Sequence, residues 1–268
     1  MSVSVLGIPV DILKTQELEA LLESWFCDGK SHTIVTPNPE MILAAQNNSA
    51  FREGLIQADL HLPDAVGICY ALLAFNLHAN PTRHTGVDTL KLLVKLAEKN
   101  QKKILIFGGE GDGAERAAKH FQSIHSNLVI HGYNPGILAL HDGHLELTDV
   151  DRAFIKASSP DVIALALPHE KQVAFFEHLS NFPSVRIAIG IGGAADMFSG
   201  ALPRAPEWMQ QLGLEWMWRL LLEPKRWKRI FRATIVFPIV IAGETMRTGT
   251  FLAAVQRIIP SLFRKFGD

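Results

Sequence analysis

Cysteine is nearly absent: Cys27 and Cys69 are the two in 268 residues, too few for a disulfide framework and without the spacing of metal ligands. Neither sign of charge is in excess. Twenty-six basic side chains face 27 acidic ones, a net charge of −1, which excludes a nucleic-acid binder that works by overall basic character. Long hydrophobic runs are missing too. The longest, Ala233 to Gly243, is broken by Pro238 and falls far short of the roughly 20 residues of a spanning helix. Met1-Ser2-Val3-Ser4-Val5 meets Pro9 and Asp11 early, with neither the basic nor the apolar region of a signal peptide. The expected protein is soluble or peripheral, and cytoplasmic. Eleven histidines are scattered without the i, i+4 spacing of a metal helix, so no metal is expected; no other cofactor is expected either.

What is present is a chain 48% apolar, with a mean hydropathy of +0.14, ample for one large domain or a domain with an appendage. Short β-rich runs alternate with helical patterns. The strands expected are His32–Thr36, Lys103–Phe107, Leu128–His131, Val162–Leu167 and Arg186–Ile191, the middle ones nearly all apolar, as strands covered on both faces are. Helices are expected over Gly113–Ile124, Asp151–Ser158 and Lys171–Leu179 from apolar residues at three- and four-residue spacing. The pattern predicts an α/β fold: a Rossmann-like, mostly parallel sheet flanked by helices, with ligands at the carboxyl ends of the strands. Composition shifts near Pro203 toward Trp, Leu and Arg. The expected division is a core over 1–202 and a helical appendage over 203–268.

Several loops carry chemistry, each with a structural alternative. Gly109, Gly111 and Ala114 satisfy a G-x-G-x-x-[GA] spacing after a strand and ahead of a helix. Such a turn lets backbone N–H groups approach a diphosphate, or it is simply a tight βα turn that needs positive φ. A nicotinamide site wants an acid about twenty residues on, for the ribose; Ser126–Pro135 contains none, which disfavours an NAD-dependent oxidoreductase. Pro37 and Pro39 stiffen the Thr36–Glu40 loop, holding Thr36 and Asn38 in place for a substrate or for helix capping. Asp64 stands just ahead of an apolar helix, as an N-cap or as a general base. Arg83 is either a solvated loop cation or a phosphate fork. Asp149-Val150-Asp151 has the D-x-D form of metal-dependent sugar-nucleotide transferases but also suits a helix start, which is the favoured expectation. His141 and His144 flank Asp142-Gly143 in an expected hairpin turn.

The appendage adds Lys225-Arg226-Trp227-Lys228-Arg229-Ile230-Phe231-Arg232. On a helix, Lys225, Lys228, Arg229 and Arg232 form one stripe, with Trp227, Ile230 and Phe231 opposite. That suits an anionic membrane surface or a phosphate-bearing ligand; the structural alternative is a helix docked on its own domain.

Gly190-Ile191-Gly192-Gly193-Ala194-Ala195-Asp196-Met197-Phe198-Ser199-Gly200, then Arg204-Ala205-Pro206-Glu207-Trp208, Gly213-Leu214-Glu215-Trp216 and Glu223-Pro224-Lys225-Arg226 resemble the C-terminal signature of the WecG/TagA/CpsF glycosyltransferases (glycosyltransferase family 26). The Thr36–Glu40, Pro63-Asp64, Arg83–Asp88 and Phe107–Gly109 segments follow in that family's order, so the resemblance spans roughly Val3 to Arg232. Asp64-Ala65 stands where the family usually has Asp-Gly, and either Gln172 or Glu170 takes its glutamine position. The resemblance implies an inverting, metal-independent enzyme that moves a sugar from a UDP-sugar to a polyprenyl-diphosphate-linked sugar at the inner face of the cell membrane. The donor sugar stays open among N-acetylmannosamine, its uronic acid, glucose and glucuronate. On this basis Asp64 is expected to be the base, with Thr36, Asn38, Arg83 and Gln172 completing the catalytic set. Gly108, Gly109, Tyr133, Gly136 and Asp196 are expected to bind UDP, and Arg219, Arg226 and Arg229 the lipid diphosphate. The expected partners are these two substrates and the membrane surface, with a homo-oligomer open. The competing expectation is a non-catalytic nucleotide-binding or regulatory module docked at the membrane.

Overall fold

Six parallel strands carry the fold of this chain, seen in a computed structural model that describes residues 1–76, 79–200, 203, 205–211 and 214–261, leaving out the side chains of Gln211, Arg219 and Arg226. An antiparallel hairpin comes first, β1 (Ser2–Val5) and β2 (Ile8–Asp11), followed by α1 (Thr15–Trp25). Then come β3 (His32–Val35), α2 (Pro39–Ala45), α3 (Ser49–Ile56), β4 (Leu60–His61), α4 (Val66–Phe75) and α5 (Gly86–Lys99). The second half runs β5 (Lys103–Gly108), α6 (Gly113–Ile124), β6 (Val129–Tyr133), the small hairpin β7 (Leu140–His141) and β8 (His144–Leu145), and α7 (Asp149–Ser158). It closes with β9 (Val162–Ala166), α8 (His169–Phe175), β10 (Ile187–Gly190) and α9 (Ala194–Phe198). The sheet order is β4-β3-β10-β9-β5-β6, every pairing parallel.

Alternation along the strands builds the three layers. Ile104 and Ile106 of β5 join one core cluster, with Leu22 of α1, Leu93 of α5 and Phe121 of α6. Leu105 and Phe107, pointing the other way, pack with Ile155 of α7 and Phe175 of α8. Both faces are covered, so β9 and β10 are buried at every position. The expected strands lie within a residue or two of those observed. The β1–β2 hairpin was not expected, because its turn is Leu6-Gly7 at φ 51° and 81° rather than the Asn-Gly or Asp-Gly that marks a type I′ turn. β4 has two residues, too short to show a period.

The Asp149-Val150-Asp151 segment starts α7. Thr148 Oγ1 accepts from Asp151 N–H (3.2 Å), while Thr148 N–H and Oγ1–H both donate to Asp151 Oδ2 at 2.8 Å. Asp142 and Gly143 turn between β7 and β8 with φ of 49° and 87°.

Beyond Pro203 the described chain is helical: α10 (Glu207–Gln211), α11 (Glu215–Leu222), α12 (Trp227–Phe231), a π-helical turn over Arg232–Val236, α13 (Phe237–Arg247) and α14 (Phe251–Ser261). These helices do not hang free. Phe237, Ile241 and Ala254 are buried in the cluster that holds Ile42 of α2 and Ile68 of α4. None of the described helices is long and apolar enough to cross a membrane.

Candidate active site

Three loops are stitched together at the carboxyl ends of β3, β4 and β10. Asp64 N–H donates to Pro37 O (3.2 Å) and His84 N–H to Pro63 O (2.9 Å). Gly86 N–H, at the first residue of α5, donates to Asp64 Oδ1 at 3.0 Å. Gly86 presses on the end of β10, where a β-carbon would lie 3.3 Å from Ile191 Cα. The start of α5 and the Asp64 carboxylate are thereby fixed beside the central strand.

Asp64 therefore is not the N-cap of its own α4, which is Ala65; it takes the first N–H of α5, a helix whose N-cap is Thr85. The carboxylate is only partly exposed, and its pKa is pushed up to about 6. Burial is the largest cause; the Gly86 N–H and the Arg83 charge pull the other way, and Glu215 and Asp88 push it up further. Oδ1 is anchored, and no partner of Oδ2 is seen among the described residues. Cys69 nearby is buried, its thiol pushed up to about 12, and so is inert at neutral pH.

Around this carboxylate, Thr36 is buried and donates from Oγ1 to Gly190 O, at the end of β10 (3.2 Å). Asn38 caps α2 through Oδ1, which accepts from Met41 N–H at 3.0 Å. Capping uses only its acceptor, so it is compatible with a second role for the amide nitrogen. Gln172 is buried across the same strand end: its Nε2 donates to Leu167 O (2.7 Å), and a β-carbon at Gly190 would lie 2.0 Å from its Oε1. Glu170 lies elsewhere, with Oε1 3.2 Å from His169 Nε2. Arg83 is not a free loop cation. Its Nη1 meets Glu215 Oε2 of α11 at 3.0 Å, and its Nη2 donates to Gln210 O (3.4 Å).

The glycine turn lies between β5 and α6. Gly108 at φ 107° leaves no room for a side chain, since a β-carbon would sit 2.6 Å from Ala166 O. Gly109 N–H donates to that carbonyl at 2.7 Å. Asp196, at the start of α9, faces this turn, with Oδ1 3.3 Å from where a Gly113 β-carbon would stand. Asn134, unremarked in the sequence, joins the turn to the next loop: its Nδ2 donates to Gly111 O (2.6 Å) and its Oδ1 accepts from Gly136 N–H (2.8 Å). Tyr133 is engaged with α7, its hydroxyl donating to Asp151 (2.8 Å) and its ring stacked on Phe154 at 4.2 Å. Desolvation, followed by the hydrogen bond to Asp151, pushes its pKa up to about 12.

Of the expected lipid-diphosphate ligands, the side chains of Arg219 and Arg226 lie outside the described residues. Arg229 is half exposed and pairs with Glu40 of the Thr36–Glu40 loop, its Nε 2.8 Å from Oε2. Lys225, Lys228 and Arg232 are exposed, and so are Trp227, Phe231, Ile235 and Ile239.

A separate groove of about 850 Å³ lies between α3, α8 and the β7–β8 hairpin, lined by Phe51, Glu53, Asp142, Glu170 and Glu177 among others. It adjoins Thr33, near the amino end of β3, and its acidic lining suits no diphosphate. The strand ends, with a basic carboxylate, glycine-shaped backbone and arginines, suit nucleophilic attack on a phosphate-activated carbon.

Comparison with known proteins agrees with this chemistry. The model of the glycosyl transferase WecG/TagA/CpsF family matches residues 3–250. The chain is similar to the N-acetylglucosaminyldiphosphoundecaprenol N-acetyl-beta-D-mannosaminyltransferase of Bacillus subtilis (strain 168), 34% identical over 213 residues, 78% of this chain and 79% of the relative. The protein of the same name from Bacillus spizizenii is 32% identical over 216 residues (78% and 79%). That from Staphylococcus aureus (strain NCTC 8325 / PS 47) is 28% identical over 238 residues (86% and 87%).

Proposed function

The chain belongs to the WecG/TagA/CpsF family of glycosyltransferases, and from that premise we propose that it moves N-acetylmannosamine, or a related hexose or uronic acid, from a UDP-sugar to polyprenyl-diphosphate-linked N-acetylglucosamine. The acceptor follows the names of its relatives. The reading as a non-catalytic module gives way, because the family is one of enzymes. The observation that carries the proposal is Asp64: a carboxylate with one oxygen fixed by Gly86, a pKa raised to about 6, and a place beside the central strand end. A base of that pKa is mostly ionised at pH 7 yet far more basic than an ordinary aspartate.

In this mechanism Oδ2 of Asp64 takes the proton from the acceptor hydroxyl as that oxygen attacks the anomeric carbon. The UDP oxygen departs from the opposite face, so one displacement inverts the configuration. The backbone of Gly108 and Gly109, with Gly136 and Asp196 across the turn, receives the UDP; Tyr133 walls that end of the sheet. Thr36, Asn38 and Gln172 orient the sugars. Arg83 faces charge developing on the leaving group, while Arg219, Arg226 and Arg229 meet the lipid diphosphate. Trp227, Phe231, Ile235 and Ile239, flanked by Lys225, Lys228 and Arg232, rest on the inner face of the membrane, where the acceptor is held. A panel of UDP-sugars offered with a short-chain lipid-diphosphate acceptor tests the proposal. Transfer from one donor, with inversion, supports it; binding of UDP with no transfer from any donor overturns it.

A further inference from the structure

Among the described residues, two ion pairs join the C-terminal helices to the core beside the strand ends, and their polarities are opposite. In one, Arg83 of the core meets Glu215 of α11 (3.0 Å), with exposures of 14% and 21%. In the other, Glu40 of the core accepts from both Nε and Nη2 of Arg229 on α12. We propose that Glu40 and Glu215 are positioning residues of the transferase, each holding the arginine opposite it beside the site, so that the crossed charges seat helices α11 and α12 over the strand ends in a single register.

This inference rests on the transferase reading, and the chemistry of that reading makes the two glutamates conspicuous. A site for two diphosphates is costly ground for carboxylates, which repel the ligands. Arg83, Glu215 and Glu40 are largely buried, and the attraction in such a pair is offset by the cost of taking both charges out of water, so fold stability alone accounts poorly for them. A local purpose is visible at Glu215. Among the described residues, Arg83 and the Gly86 N–H favour the Asp64 anion, while Glu215 and Asp88 disfavour it; the Cys69 thiol nearby is neutral. Without Glu215, the Arg83 guanidinium has no opposing carboxylate and can swing onto Asp64 Oδ2, occupying the very oxygen that must take the proton. Glu215 holds that fork away from the base and keeps it available for phosphate. Glu40 does the equivalent for Arg229, aiming it from α12 toward the loop that carries Asn38. Crossed polarity adds selectivity: sliding α11 and α12 along the core would bring like charges together.

The test uses the full-length chain with Glu215→Gln, Glu215→Asp and Glu40→Gln. kcat and KM are measured across pH with a UDP-sugar and a short-chain lipid-diphosphate acceptor, and hydrogen exchange over 215–231 is measured on the unliganded protein. Glu215→Gln is expected to lower kcat roughly tenfold or more and to move its acid limb down by roughly half a pH unit, with Glu215→Asp restoring most of both. Glu40→Gln is expected to raise KM for the lipid acceptor by roughly tenfold while the acid limb stays in place. The lost Glu215 charge moves the limb by itself, whereas the fall in kcat and its rescue by Glu215→Asp report the positioning. The proposal is overturned if Glu215→Gln keeps kcat at its wild-type value, whether or not the limb moves. If the wild type transfers no sugar at all, the transferase reading fails by itself; faster exchange over 215–231 in both neutralised variants then still supports the clasp, and unchanged exchange overturns it.

Discussion

Gly86 N–H reaches Asp64 Oδ1 at 3.0 Å, tying the loop after β4 to the first turn of α5 and fixing one oxygen of a carboxylate whose other oxygen has no protein partner among the described residues. The bond holds the carboxylate without a net lowering of its pKa. Burial outweighs the bond's stabilisation of the anion, so the pKa rises to about 6 instead of falling.

The raised pKa has a consequence for stability as well as rate. An acid that holds its proton more tightly when folded favours the fold below its unfolded value of 3.8 and penalises it as pH rises toward 6. For Asp64 that penalty is on the order of 2–3 kcal/mol at neutral pH. Asp64→Asn removes it. Urea unfolding at pH 7.5 should therefore show the variant to be more stable than wild type, with the gap closing near pH 4, while kcat of the wild type falls as pH drops through about 6.

Gly108 and Gly111 both have positive φ, but their surroundings differ. A β-carbon at Gly108 meets the Ala166 carbonyl, whereas one at Gly111 meets open space. Gly111→Ala should cost about 1 kcal/mol, and Gly108→Ala at least about 2–3 kcal/mol, because backbone must move. Paired urea denaturation curves measure the contrast.

Gly190→Ala drives a methyl group into the Gln172 amide, 2.0 Å from Oε1, at the strand end where Thr36 also bonds. Activity should fall by roughly 10²-fold, through displacement of Gln172 and Thr36. Gln172→Ala on the Gly190→Ala background should recover stability without recovering activity. Denaturation midpoints and initial rates on the same preparations read the two effects separately.

Phe231 and Phe237 sit six residues apart on either side of the π-helical turn, one half exposed and the other buried in the core. Phe237→Ala should cost about 3–5 kcal/mol. Phe231→Ala with Trp227→Ala should leave the unfolding midpoint unchanged, yet weaken sedimentation with anionic vesicles about tenfold or more. Unchanged vesicle binding would contradict the membrane assignment.

Much of this was legible in the sequence, for physical reasons that also mark where legibility stops. Strands covered on both faces, such as Val162–Ala166 and Ile187–Gly190, announce themselves by unbroken apolar runs. Helix starts are local too: Thr148 and Asp151 lie within four residues of one another. Asp64 is visible as a carboxylate ahead of a helix, but the helical N–H it accepts lies 22 residues later, at Gly86, a pairing that no local pattern encodes. Arg83 read as a solvated cation or a phosphate ligand because its partner Glu215 is 132 residues away. Asn134, a single amide bridging two glycine loops, left no signal beyond an Asn-Pro pair. Composition sets the α13–α14 helices apart, and no local pattern shows that Phe237 and Ala254 pack in a cluster with Ile68 of α4.

The most direct test is transfer by Asp64→Asn beside wild type, with UDP affinity measured on both. If Asp64 is the base, its loss should lower turnover by about 10²–10⁴-fold while the Kd for UDP stays nearly constant, since in the proposed mechanism the carboxylate serves the acceptor. Turnover within about tenfold of wild type would contradict the role given to Asp64.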